Sequence, residues 1–222
     1  MGDGGALSAR ARRLVLFDFD GTLADSFPFF VAVLDELARL HGFSPVRPEQ
    51  IPLMRRQDAR ANMRLVGMPA WKLPFVTASF IRLMRERGGT VPLFTGIPET
   101  LAGLRAQGLT LALLTSNSVD NAVRTLGPGN ARHFDYLEGR SALLGKQGRI
   151  RKVLSRSGIP AAQAIYVGDQ LSDLRAAHAV GVAFGAVAWG YAELASLREA
   201  GADEVFHEVS QLRRLAAGDD RD

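Results

Sequence analysis

Residues 14–17, Leu-Val-Leu-Phe, form an unbroken apolar run of β-prone residues that stops abruptly at Asp18-Phe19-Asp20-Gly21. A strand buried on both faces has this pattern. From Ser26 the period lengthens, with Phe30, Val33, Leu34, Leu37 and Leu40 recurring at helical spacing up to His41-Gly42. That spacing predicts an amphipathic helix. Two further helical patterns, 57–66 and 70–87, lie on either side of Gly67-Met68-Pro69, with no strand pattern between them. Residues from Asp25 to about Thr90 therefore read as an all-helical insert.

Beyond Gly96-Ile97-Pro98 the two periods alternate. Strands are expected at 109–114, near 134–137, at 164–167, at 182–187 and briefly at 203–206. Helices are expected up to Gln107, from Val119, over 150–156 and 171–180, around 193–199 and at the end of the chain. Strands separated by helices of this length pair in parallel through right-handed crossovers. The predicted fold is α/β: a doubly wound, three-layer parallel sheet of Rossmann-like form with a small all-helical domain inserted. Residues 1–24 and 91–222 make the core and 25–90 the insert. Ligands of such sheets bind at the carboxyl ends of the strands.

Composition supports one globular unit with an insert: 222 residues, 47% hydrophobic and 23% charged. The formal charge is only +4, and Lys72, Lys146 and Lys152 are the only lysines among 27 basic residues. The arginines are scattered, with no basic run interleaved with aromatics, so no nucleic-acid groove is signalled. With no cysteine, disulfides and thiolate metal sites are excluded, and any metal must take oxygen or nitrogen ligands. The apolar run behind the basic, glycine-rich residues 1–13 is too short for a signal-peptide core or a membrane span. A cytoplasmic protein with two unstructured tails is expected.

Asp18 and Asp20 stand two apart at a strand end, so both can face one side. Phosphoryl transfer to a carboxylate uses such a pair, one acid attacking phosphorus and the other handling protons. Gly21 allows a tight turn near a bound anion, and the exposed amides of that turn can bind phosphate oxygens. Two solvated acids in an Asp-Gly turn would give the same letters. Thr115-Ser116-Asn117-Ser118 follows another strand and can hold a phosphate or cap a helix. Asp169 and Asp173 lie four apart and would share one helix face, offering hard oxygens to Mg²⁺ or serving the helix N-terminus. Lys146, placed between the third strand and its helix, is the cation that such a site requires. Two unit charges about 4 Å apart repel by roughly 4 kcal/mol at an effective dielectric of 20, so an anionic nucleophile facing phosphate needs compensation.

The run Asp18-Phe19-Asp20-Gly21-Thr22-Leu23, with Thr115, Lys146 and Gly168-Asp169-x-x-x-Asp173, resembles the four motifs of the haloacid dehalogenase-like hydrolases, in order and over nearly the whole chain. The resemblance implies that Asp18 is nucleophile and metal ligand. It makes Asp20 the acid/base, lending its backbone carbonyl to the metal, and Asp169 a metal ligand with Asp173 as support. It further implies that Thr115 and Lys146 bind phosphate, helped by Ser116 and Asn117, and that the helical insert is a cap. Asp20 favours phosphate over halide chemistry, because dehalogenases of the family lack that second acid. Val167-Gly168-Asp169 and Ala188-Trp189-Gly190-Tyr191 look most like phosphoglycolate phosphatase-like members. Gln170 and the absence of proline after Lys146 depart from the common pattern without removing a catalytic atom.

The expected activity is Mg²⁺-dependent hydrolysis of a small phosphate ester through an aspartyl-phosphate, by a monomer or homodimer acting without nucleic acid or membrane. A phosphomutase on the same scaffold is the nearest alternative, and a non-catalytic binding protein the more distant one. In the cap, Arg55, Arg56, Arg60 and Arg64 are either anion ligands or a solvated face. Trp71 and Phe75 share one helix face, as core or as substrate wall. Trp189 and Tyr191 are expected to shape a loop.

Overall fold

Along β1 (Leu14–Phe17) the side chains alternate, Leu14 and Leu16 joining one apolar cluster and Val15 and Phe17 another, and all four are fully buried. A strand with both faces covered must lie inside a sheet that carries helices on each side. In the computed structural model, which describes residues 12–87, 91–140 and 145–216, that is its position. Five more strands join it: β2 (Thr110–Leu114), β3 (Tyr136–Glu138), β4 (Ala164–Gly168), β5 (Ala183–Val187) and β6 (Glu204–Phe206). All pair in parallel in the order β3-β2-β1-β4-β5-β6.

Helices α5 (Ile97–Ala106) and α6 (Val119–Ala131) cover the Val15 face through Leu101, Leu104 and Leu126. Helices α7 (Lys146–Ser157), α8 (Leu171–His178) and α9 (Leu194–Glu199) cover the Leu16 face through Ile150, Val153, Leu174 and Leu197. The chain runs outward from β1 through β2 to β3, then crosses back to β4 on the other side of β1. The carboxyl ends of β1 and β4 thus flank the switch point where such sheets open a crevice.

Four helices lie between β1 and α5: α1 (Phe27–His41), α2 (Ile51–Arg56), α3 (Ala59–Leu65) and α4 (Leu73–Arg87). Val33 and Leu37 of α1 pack against Leu83 of α4, while Met63, Val66 and Met68 form a second small cluster. The sequence pattern missed α2, which is a single helical turn and a half and too short to show a period. It started the helix after β3 at Ile150, four residues late, because the first turn of α7 holds Lys146, Gln147, Gly148 and Arg149 and no apolar residue. The expected last helix is a 3₁₀ segment, Val209–Leu215. Trp71 and Phe75 are not core: they pack edge-on with ring centroids 6.2 Å apart and are 67% and 59% exposed. Residues before Arg12, 88–90, 141–144 and those after Ala216 lie outside the described residues. Among the described residues no helix is long and apolar enough to cross a membrane.

Candidate active site

Asp18 follows β1 directly, and its amide continues the ladder by donating to Val167 O at 2.9 Å. The next residues turn sharply. The amides of Leu23 and Ala24 return to Phe19 O, and the Gly21 amide donates to Ala24 O at 2.9 Å. The Gly21 amide therefore closes its own turn. What requires glycine there is its φ of 81° and the close approach of Asp169 and Tyr191, which a Cβ would strike.

Asp169 leaves β4 and precedes the helix, since α8 begins at Leu171 with Gln170 as its N-cap. The expectation that Asp169 and Asp173 share one helix face is corrected accordingly. Asp173 sits in the first turn of α8, Asp169 lies in the loop before it, and the loop geometry brings the two together. The Asp169 carboxylate is wedged between Gly21 and Gly190, accepts the Tyr191 amide at 2.7 Å and takes the Thr22 hydroxyl at 3.3 Å. Oxygens of Asp18, Asp169 and Asp173 all lie within 4.8 Å of one another, and all three residues are buried.

Lys146 opens α7, a correction to its expected position before the helix. Its ammonium donates to Asp18 Oδ1 at 3.3 Å and pairs with Asp173 Oδ1. Burial alone would depress this lysine, but Asp173 and Asp18 outweigh it and hold the pKa well above the usual value. One ammonium does not balance three acids. Burial pushes Asp18 up to about 7, with Asp173 and Asp20 adding to the effect and Lys146 opposing it. Burial, then Asp18 and Asp173, also drive Asp169 far above the usual carboxylate range. Asp173 Oδ2 is buried with no partner among the described residues. An all-oxygen, over-acidic cluster with an orphaned lone pair fits a small hard cation of the Mg²⁺ type.

Asp18, Asp20, Ser116, Lys146, Arg149, Gln170 and Ser172 line one cavity of about 260 Å³. Asp20 Oδ2 accepts from Asn117 Nδ2 at 3.4 Å, and Asp20 Oδ1 is buried without a partner among the described residues. Burial raises its pKa, which the hydrogen bonds only partly offset. Of the four residues after β2, Ser116 reaches the cavity. Thr115 and Asn117 stand behind it, the Thr115 hydroxyl accepting the Asn117 amide at 2.9 Å. Ser118 is the N-cap of α6, its side chain accepting from the Asn121 amide at 3.1 Å.

The helical segment is tied to this site. Arg55 donates from Nε and Nη2 to Tyr191 O and Gly190 O, each at 3.0 Å, and Arg56 pairs with Glu193 at 2.8 Å. These two arginines grip the loop that carries the Asp169 partner. Arg60 and Arg64 are exposed. Tyr191 packs on Phe27 with ring centroids 5.0 Å apart and exchanges a 2.9 Å hydrogen bond with Ser26, while Trp189 donates to Thr22 O at 3.0 Å. Both aromatics shape the loop, as expected. Arg149 was not singled out from sequence. Its only signal was a three-residue spacing from Lys146 on a helix whose start carries no apolar mark.

A family model described as haloacid dehalogenase-like hydrolase matches residues 15–187. Phosphoglycolate phosphatase from Synechococcus elongatus is 32% identical over 202 residues, 89% of this chain and 94% of that protein. The protein of the same name from Chromobacterium violaceum is 29% identical, covering 91% of this chain and 96% of its own. The fold is shared with a haloacid dehalogenase-like family hydrolase from Streptococcus pneumoniae (TM-score 0.76, 20% identity, 90% and 96% of the two chains). It is shared too with a structure described as a predicted phosphatase from Clostridium acetobutylicum (TM-score 0.77, 21% identity, 92% and 97%). With the Asp18 and Asp169 loops meeting at the switch point of a parallel sheet and the family match spanning most of the chain, this protein belongs to the haloacid dehalogenase-like hydrolases.

Proposed function

We propose that this chain hydrolyses a small phosphate monoester with Mg²⁺, through a phosphoryl group carried on Asp18, and that 2-phosphoglycolate is the first substrate to try. One observation carries the reading: the buried cluster of Asp18, Asp169 and Asp173, in which Lys146 pairs with Asp18 and Asp173, borders through Asp18 a cavity that Asp20 also lines. The names of the relatives support the choice of ester.

Asp18 supplies the nucleophile. Its Oδ1 is held by Lys146, with the Tyr166 hydroxyl 3.5 Å away, and Oδ2 has no side-chain partner among the described residues. Attack forms the Asp18 oxygen–phosphorus bond as the ester oxygen–phosphorus bond breaks, and Asp20 protonates the departing oxygen. The raised pKa of Asp20 suits it to carry that proton, and Asn117 orients it. Asp20 then takes a proton from water, whose oxygen attacks phosphorus, releasing inorganic phosphate and freeing Asp18. Lys146 offsets negative charge on Asp18, and Ser116, with the Thr115 hydroxyl behind it, offers donors for phosphate oxygens.

Mg²⁺ would be held by Asp18 and Asp169, supported by Asp173 and the main-chain carbonyl of Asp20. When bound, it supplies the positive charge that lets an anionic nucleophile meet an anionic ester and keeps Asp18 ionised. In this reading residues 25–90 act as a cap over the core formed by 1–24 and 91–222.

The test is release of inorganic phosphate from a panel including para-nitrophenyl phosphate and 2-phosphoglycolate, with Mg²⁺ and with EDTA. Release that needs Mg²⁺, and that disappears in a folded Asp18→Asn variant, is the expected result. Silence across the panel would remove the hydrolase reading and leave transfer to a second hydroxyl, as in a mutase.

A further inference from the structure

The first turn of α7 carries two cations, Lys146 half-buried and Arg149 buried, where helix electrostatics favours anions. Lys146 is the first helical residue, Arg149 lies one turn on, and no acidic residue occupies that turn. The charge of Lys146 is met by Asp18 and Asp173. Two other cations of the same helix, Lys152 and Arg156, share Glu138 at 2.9 and 3.2 Å. Arg149 differs from all three. It is 5% exposed, yet among the described residues no carboxylate lies within ion-pairing distance of it, and its Nε is buried without a partner.

What Arg149 does touch is informative. Its Nη1 donates to Thr115 O and, at 3.2 Å, to Gly139 O, the carbonyls that follow β2 and β3. The side chain is thus fixed against the main chain just before Ser116, and it lines the same cavity as Asp18, Asp20, Ser116 and Lys146. Carbonyl oxygens satisfy hydrogen bonds but do not neutralise a charge. A buried, uncompensated guanidinium is costly unless an anion joins it. The cavity is where that anion can arrive, and a planar guanidinium already anchored at one edge is suited to an oxyanion.

We propose that Arg149 is a second phosphoryl-binding cation of the site, contacting an oxygen of the substrate phosphate while Lys146 serves Asp18. This rests on the phosphatase reading above and adds a residue to it. The spacing divides the labour: Lys146 lies over the end of β1, whereas Arg149 faces the end of β2, on the Ser116 side of the phosphate.

The experiment measures binding of inorganic phosphate to the Mg²⁺-loaded protein by calorimetry, with its inhibition of turnover alongside. Wild type is compared with Arg149→Met, which keeps the aliphatic stem, and Arg149→Lys, which keeps the charge. Loss of a charge-assisted hydrogen bond predicts roughly tenfold or weaker phosphate binding and a matching rise in KM for Arg149→Met, with partial recovery in Arg149→Lys. Mg²⁺ affinity should stay as in wild type. Unchanged phosphate binding in folded Arg149→Met would overturn the proposal. So would a KM that rises only for esters bearing a second acid, which would move Arg149 to the other end of the substrate. If wild type hydrolyses no ester, the phosphatase reading fails, and calorimetry with phosphate still decides whether Arg149 binds the anion.

Discussion

The Asp169 carboxylate shows how narrowly single residues define this site. Gly21 and Gly190 close on it from two sides, and its hydrogen bonds to the Tyr191 amide and the Thr22 hydroxyl leave it one orientation. A Cβ at position 190 would overlap both the Cβ and the carboxyl of Asp169. Gly190→Ala should therefore weaken Mg²⁺ binding about 10–100-fold, the range found when partners of metal ligands are disturbed, while circular dichroism shows the fold retained. Calorimetric titration with Mg²⁺ checks this, and wild-type affinity would mean that the loop yields without cost. Asp18, Asp20, Asp169 and Lys146 were legible as candidates because acids at strand ends and a lone lysine stand out against an apolar, arginine-rich chain. Arg149 was not legible, being one of many arginines and distinguished only by what surrounds it.

At the scale of elements, the helix that follows the Ser116 loop depends on its cap. Ser118 accepts the Asn121 amide, and Asn117 accepts the Ser118 amide at 2.8 Å while holding Asp20, so one short turn starts α6 and steadies the acid/base candidate. Ser118→Ala removes the cap and should cost about 1 kcal/mol in chemical denaturation. Its effect on turnover is expected to be small, because Asn117 keeps its bonds to Asn121 and Met84. The strands and long helices were legible from period, since β1, β4 and α1 each bury a continuous stripe. Short or polar starts were not. The apolar period that marks a helix needs at least two turns to register, and α2 and the beginning of α7 lack them.

For the molecule as a whole, three acids buried around one lysine make the metal-free state a strained one. Binding of Mg²⁺ to the folded protein alone should raise Tm, with about 2.7 kcal/mol of stabilisation at a hundredfold excess over Kd, and EDTA should reverse it. Differential scanning fluorimetry reads this directly, and Asp18→Asn should blunt the response. Contacts between α2 and the Gly190–Tyr191 loop, and between Asn121 and Ile81 O at 3.1 Å, hold the helical segment against the sheet on two sides. By itself the sequence determined the alternation of strands and helices, the parallel sheet and the identity of the acids, because burial of apolar periods and local turn chemistry act over a few residues. Only the tertiary structure decided that β1 and β4 are neighbours, that Arg55 and Arg56 serve a loop, and that Arg149 lines the cavity. Those outcomes depend on which distant surfaces meet, and no local period encodes that.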